Sequence, residues 1–497
     1  MVNPAASADN QDLTKKSFKA AGLGLVLQFA SQFVRLLIGI CLLRLLTPQD
    51  YGIIGMLSIF WGISAVFVNG GFGQAIIQRQ NITKTDLNSV FYYNILLSLG
   101  ICFLMIYCSG FIADFYGQAI LEKTIKVTAW TLPISAISAV QLSILNRQLK
   151  QYLITVSTLV SLVAGGAAAT CLALMGMGVW ALVWQEFVSA LFFTLTISFF
   201  VRWRPSLSFS FKSLASLFRF GSAILVTDLI VTAANNISSV VIGKCYKPDI
   251  LGFYTRSKSF AVLWPMSVKA SIGRVLFPAF SKIQDDLPRL RSAFRRSLCL
   301  SVFTVTFPTL LFSVLCKPFI MAVLGSKWLP CVPYWWLISC TTLFFPFEEL
   351  NIQALKSRGK SNLYLFIEVI KKVFFAAQIA VLIIYGIYPM LWFEILLSCF
   401  FFFLNAYSNG RGLSYGPFAQ LCDSLPYFVL SALSCISAWC LYRLISPFSV
   451  WLSLILPAAA GFAIYLFLNR IFKTSALLEL VDIAAGKYPL IRKMMRL

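Results

Sequence analysis

The feature that most constrains this chain is a succession of apolar runs, each of about 20 residues or more, separated by short polar turns. A run of that length, coiled at 1.5 Å per residue, spans the hydrocarbon core of a bilayer. Only a helix or a closed barrel satisfies its own backbone there, and runs this long and continuously apolar are helical. Composition points the same way. The chain is 59% apolar and 15% aromatic but only 12% charged, where soluble domains carry about 25% charged residues. We read an all-α polytopic membrane protein of about fourteen helices, near 18–46, 50–79, 86–116, 119–147, 151–175, 177–201, 212–244, 248–280, 289–317, 328–357, 362–386, 388–412, 418–445 and 447–472. The longest polar link, roughly 281–296, is too short to be a domain. Residues 1–17 are polar, so no cleaved signal peptide is expected.

A formal charge of +23 invites a nucleic-acid reading, but the distribution argues for topology. With the N-terminus placed in the cytoplasm, 25 of the 41 Lys and Arg fall at inner helix ends and eight at outer ends. That bias sets both termini, and the tail 473–497, on the cytoplasmic side. No nucleic-acid partner is expected.

The stretch 44–86 occurs twice. Adding two hundred to each number carries Pro48 to Pro248, Gly52 to Gly252, Gly73 to Gly273, Asp86 to Asp286 and Leu87 to Leu287. Each match is weak alone; one constant offset makes them an internal duplication. Six helices separate the copies, so the halves share one orientation. We therefore expect a cytoplasmic segment 1–17, an N-terminal six-helix bundle 18–201, a parallel C-terminal bundle 212–412, two extra helices within 418–472 and the tail.

The first helix carries Gly24, Gln28, Ser31, Gln32, Arg35 and Gly39 at steps of three and four, a polar stripe on one face. The offset takes Gln28 to Asp228, Gln32 to Thr232 and Arg35 to Asn235, a second stripe. Such stripes either pack helices or line water, and their repetition favours a shared cavity. Eight cations sit at helical positions: Arg35, Arg219, Arg256, Lys258, Lys269, Arg274, Lys371 and Lys372. Charges in a bilayer are costly and meet a partner or a wet cavity. Internal pairing is the bland alternative, and Lys372 has Glu368 at i−4 for that purpose. Arg256, Lys258, Lys269 and Arg274 share a helix with no acid after Asp249, which tips the reading toward an anion site. By helical rise, Arg35 and Arg256 lie in the outer half of the membrane and Lys269, Lys371 and Lys372 in the inner half. The substrate-binding candidates are thus Arg35, Arg256, Lys258, Lys269, Arg274, Lys371, Lys372, Gln28 and Gln32. Glu186, Asp228, Glu348, Glu349 and Glu394 are the other intramembrane acids, any of which could couple transport to H⁺ or Na⁺. Asp228, on a stripe, leads that group, with Glu368 next.

No cofactor is expected. There is no His, no C-x-x-C and no G-x-x-x-x-G-K-[ST], so His-ligated metal and an ATP-driven motor are not written here. The 13 Cys read as small packing residues, and a disulfide among Cys245, Cys316 and Cys331 has nothing to support it.

Arg44–Gln80, with Gly178–Val183, Arg202–Pro205 and Arg274–Ala279, resembles the Wzx-type polysaccharide flippases, in particular the colanic-acid-exporter-like branch of the multidrug/oligosaccharidyl-lipid/polysaccharide exporter superfamily. The resemblance covers the first ten helices; the remainder matches by hydropathy. It implies two six-helix bundles around a cationic cavity that work by alternating access. It implies a polyprenyl-pyrophosphate-linked oligosaccharide moved from the inner to the outer leaflet of a bacterial cytoplasmic membrane. Membrane lipid, and a polysaccharide polymerase with its chain-length regulator, are the partners this implies, with the monomer as functional unit. Forked guanidinium donors suit a pyrophosphate. Two alternatives stand beside it. A cation-coupled multidrug exporter of the same superfamily would want cavity carboxylates. A membrane polymerase or ligase would want a large outer loop bearing acids, bases or His, and the outer loops here are short.

Overall fold

The computed structural model of the chain describes residues 27–487 apart from 29, 70, 71 and 80. Residues 1–17, Gly24 and the end of the tail lie outside them. Among the described residues eleven helices are long and apolar enough to cross a membrane. The chain is an all-α polytopic membrane protein. Of the other three expected helices, the first begins outside the described residues. The tenth is broken in two at residues 343–344. The eleventh is continuous but carries Glu368, Lys371 and Lys372 within its span.

Packing divides the chain after Gly252 into two compact units. The duplication places its boundary earlier, at 202–211. The packing boundary falls later because the helix after that link lies against the second helix of the first unit.

The first unit holds α1 (30–45, with 27 and 28 also helical), α2 (Pro48–Asn69), α3 (Phe72–Gln78), α4 (Lys84–Tyr116), α5 (Ile120–Thr128), α6 (Thr131–Arg147), α7 (Gln151–Leu174), α8 (Val179–Phe200) and α9 (Phe211–Cys245). The Thr-Pro-Gln-Asp turn starts α2 as its residues dictate. Pro48 fills the first helical position, and Asp50 accepts from the Thr47 backbone N–H at 2.8 Å and from its hydroxyl at 2.7 Å. At α4, Thr83 and Asp86 form a reciprocal capping box. Small residues set the closest helix approaches. A Cβ on Gly165 would stand 2.0 Å from Ser189 Oγ across the α7–α8 hairpin, and one on Gly62 would stand 2.7 Å from a Thr232 methyl of α9. Phe72, Ile76, Val90, Phe91, Val140 and Leu217 close an apolar cluster beneath the site described below.

The second helix of the repeat, α10 (Pro248–Ser281), begins in the first unit and continues into the second. The second unit adds α11 (Leu287–Val314), α12 (Cys316–Phe319), α13 (Cys331–Thr342), α14 (Phe345–Ser357), α15 (Ser361–Tyr385), α16 (Ile387–Leu413), α17 (Pro417–Ile445), α18 (Leu452–Ile471) and α19 (Ser475–Lys487). Asp286 caps α11 from the N-cap position, bonding the Arg289 N–H at 3.0 Å. The duplicated acids Asp86 and Asp286 thus serve the same helix start in each copy. The two extra helices, α17 and α18, pack on α11, where Tyr465 stacks on Phe307 at 4.1 Å. All thirteen cysteines are free thiols.

Candidate functional site

In the first unit the expected stripe is present on α1. Gln28, Gln32 and Arg35 are exposed, while Ser31 is buried and bonds the Leu27 carbonyl. Arg35 meets the charge of Glu186 on α8. On α9, Asp228 lines a cavity of about 290 Å³ with Gln74, Asn94, Ser143 and Asn146. Gly73 lines it too, and a Cβ there would lie 3.2 Å from Ser143 Oγ. Asn94 is buried, and its Oδ1 has no hydrogen-bond partner. This cavity brings amide and hydroxyl groups to one carboxylate, oxygens that can hold a proton or a small cation. The α9 backbone carries Arg219 into the same unit.

In the second unit the cations of α10 and α15 are drawn together by acids from another helix. Glu348 of α14 accepts from Lys371 at 2.6 Å and faces Lys269 at 3.5 Å. Lys371 also reaches Glu368 at 3.0 Å, and Lys269 stands 3.8 Å from Glu349. Gln353 donates to Glu349 at 2.5 Å. A Cβ on Gly273 would come within 2.9 Å of Glu349 Oε1, so the absence of a side chain there makes room for the carboxylate. The cluster holds three carboxylates and two ammonium groups, a formal sum of 2 − 3 = −1. The sequence reading of a cation excess on α10 therefore needs correcting at Lys269. The neutralising acids come from α14, four helices along the chain, where an acid search confined to α10 does not look. Glu368 pairs with Lys371, not with Lys372 as its i, i+4 spacing suggests.

Lys258 sits over the Tyr254 ring at 5.8 Å and within the field of Glu394, whose carboxylate takes a 3.1 Å bond from Gln378. Arg256, half-buried on the same helix, lies beside Cys331. Arg274 is exposed and bonds the Ala270 carbonyl one turn back at 3.2 Å. Lys372 is exposed.

Sequence reasoning named Glu348 and Glu349 as acids but did not place them as the hub of the cation cluster. Two adjacent carboxylates in an apolar helix were the available signal, since neither is stable in a bilayer without a cation. It missed the buried amide network entirely. Asn351 bonds Gln420 at 2.9 Å and Asn409 bonds Asn351 at 3.1 Å, tying α14, α16 and α17 with all three side chains buried.

The model of a family described as polysaccharide biosynthesis protein matches residues 41–333. Lipopolysaccharide biosynthesis protein WzxC of Escherichia coli (strain K12) is 26% identical over 295 residues, 59% of this chain and 60% of that protein. Succinoglycan biosynthesis transport protein ExoT of Rhizobium meliloti (strain 1021) is 25% identical over 58% of each. Teichuronic acid biosynthesis protein TuaB of Bacillus subtilis (strain 168) is 24% identical over 60% of this chain and 62% of that one. The chain thus spans about three-fifths of the length of these relatives. Among solved structures, the lipid II flippase MurJ in an inward closed conformation superposes with a TM-score of 0.71 at 14% identity, covering 90% of this chain and 98% of that one. An inward-facing multidrug resistance MATE family transporter of the MOP superfamily superposes at 0.53, also at 14% identity, over 82% and 94%. These two likenesses describe the fold.

Proposed function

The chain belongs to the polysaccharide biosynthesis protein family, and from that premise we propose that it is a flippase for a polyprenyl-pyrophosphate-linked oligosaccharide. The observation that carries the proposal is the match over residues 41–333; relatives named for lipopolysaccharide, succinoglycan and teichuronic acid biosynthesis, and a fold shared with a lipid II flippase, support it. The protein sits in the bacterial cytoplasmic membrane with both termini inside, moves its cargo from the inner to the outer leaflet, and makes or breaks no covalent bond. It acts as a monomer that hands cargo to a polymerase and chain-length regulator.

The pyrophosphate is the part that hydrocarbon rejects, and cations must replace its water. Arg35, with Gln28 and Gln32, offers exposed donors in the first unit; in the second, Arg274 and Lys372 are exposed and Arg256 and Lys258 half-buried. Lys269 and Lys371 are held by Glu348 in this state. Neutralising Glu348 with a proton would leave Lys371 to Glu368 alone and Lys269 to the longer contact with Glu349, loosening both ammonium groups toward an anion, so carboxylate protonation and cargo binding are linked. Asp228 is the corresponding coupling group of the first unit, and Glu368 shares Lys371 with Glu348 in the second. The carboxylate excess of the α10–α14–α15 cluster is the one observation that favours a second reading, a cation-coupled drug exporter.

Deleting the gene and analysing the lipid-linked oligosaccharides separates the two. The flippase reading expects an intact repeat unit to accumulate on the inner leaflet. Normal surface polysaccharide, with a gain only in sensitivity to cationic drugs, would support the exporter.

A further inference from the structure

The second unit carries a cavity that the transport reading does not use. It measures about 810 Å³ and lies between the first three turns of α11, the first half of α17 and the α18–α19 link. Its rim is charged. Arg295 and Arg296 come from α11, and Asp423 from α17. Its wall is apolar, formed by Leu425, Val429 and Leu433 on α17 and by Phe472, all of them exposed. From Leu425 to Leu433 the wall descends eight residues, about 12 Å of helix.

The rim is built rather than incidental. Asp423 accepts from the Tyr415 hydroxyl at 2.6 Å on one oxygen and from Arg295 Nη2 at 2.5 Å on the other. Burial, then the bond to Asp423, push the Tyr415 hydroxyl well above the ordinary phenol range, so it remains a donor to that carboxylate. A guanidinium has five N–H donors, and this bond uses one face of Arg295. Its side chain is 60% exposed. Arg296 stands 3.7 Å from Glu479 and is 71% exposed. A second hollow of about 580 Å³ shares Arg296 and Ser292 and brings Arg289 to the same rim. Arg291 lies over the Tyr415 ring. Four arginines thus lie within the eight residues 289–296 of α11, with Arg295 on Asp423, Arg296 on Glu479, Arg291 on Tyr415 and Arg289 lining the second hollow, a sum of 4 − 2 = +2 with the two acids.

We propose that this cavity is a binding site for a resident anionic phospholipid, whose phosphate sits between Arg295 and Arg296 and whose acyl chain lies along Leu425, Val429 and Leu433. Guanidinium forks complement a phosphodiester, and an apolar wall continuing from the charged rim complements a chain attached to it. A soluble anion would leave that wall uncovered, and a neutral lipid would leave the arginines unmatched. Asp423 and Tyr415 are positioning residues that fix the Arg295 fork.

Native mass spectrometry of the full-length protein in detergent, titrated with dioleoyl phosphatidylglycerol or dioleoyl phosphatidylcholine, tests this. Phosphatidylglycerol should be retained in preference. Arg296→Gln, which disturbs only an exposed long contact, should weaken its binding about tenfold and leave phosphatidylcholine unchanged. Arg295→Gln should do the same, and Leu425→Asn should weaken both lipids. Inorganic phosphate should not displace the lipid. Equal retention of the two lipids, or full retention of phosphatidylglycerol by Arg296→Gln, would overturn the proposal. Displacement by millimolar phosphate would reduce the site to one for free anions. Displacement by a polyprenyl phosphate at lower concentration than by phosphatidylglycerol would hand the site to the cargo. Arg296→Lys, which keeps the charge without the fork, should recover only part of the binding.

Discussion

Lys371 and Glu348 are where single side chains decide most. Lys371 is 12% exposed at its side chain and Glu348 26%, and they bond at 2.6 Å. Removing one partner of such a pair strands the other charge, at a cost of about 3–5 kcal/mol, whereas removing both together costs far less. Lys371→Ala should therefore lower the thermal unfolding temperature in detergent markedly, and Lys371→Ala combined with Glu348→Gln should restore much of it. A double variant no more stable than the single would mean the pair is not coupled. Glu348→Gln alone has a second readout. If protonation of Glu348 loosens the lysines, the variant should transport with a flattened pH profile. An unchanged profile at reduced rate would leave Glu348 a structural partner. At this scale the sequence showed which side chains are too charged for a bilayer, because that follows from residue type and depth alone. It did not show which acid meets which cation. Lys269 on α10 finds its acids on α14, and Glu368 takes Lys371 in preference to Lys372; both depend on helix rotation and packing that local spacing does not encode.

At the scale of elements, the helix starts of the two repeats pack against each other. A Cβ on Gly52 would lie 1.7 Å from the Pro248 carbonyl oxygen, and one on Gly252 would lie 2.0 Å from the Pro48 carbonyl oxygen. The duplicated turns therefore rest on each other reciprocally, glycine against proline carbonyl, at the first turns of α2 and α10. The two-hundred offset made these residues equivalent; only the structure makes them neighbours. Neither carbonyl can yield without moving its helix, so Gly52→Ala and Gly252→Ala should each cost about 1–3 kcal/mol, as overpacking does. Chemical denaturation would measure it. Gly39, whose added Cβ would meet nothing within 4 Å, supplies the control, and Gly39→Ala should be neutral or slightly stabilising. Equal effects at Gly39 and Gly52 would mean that helix propensity, not the close approach, sets the cost. Most element bounds were legible from apolar run length and turn chemistry. The break between α13 and α14 was not, since residues 328–357 read as one run and Pro346 begins a new helix inside it.

On the scale of the whole molecule, each of the two units presents cations and carboxylates on its helices. The orientation read from the basic residues expects reporter fusions after Lys212 and after residue 473 to report the cytoplasm; an outer signal at either would break the parity of the six-helix repeat. The proposed activity is movement of a lipid-linked oligosaccharide across the bilayer without altering it. Purified protein in liposomes, loaded with polyprenyl-pyrophosphate oligosaccharide in one leaflet, tests it directly through the fraction accessible to an added, membrane-impermeant glycosidase. The accessible fraction should rise with the protein present, the lipid-linked oligosaccharide recovered with the glycosidase omitted should be neither lengthened nor cleaved, and Arg35→Ala and Arg256→Ala should each slow the exchange at equal protein density. No protein-dependent exchange under an imposed H⁺ or Na⁺ gradient, or recovery of a lengthened product, would contradict it.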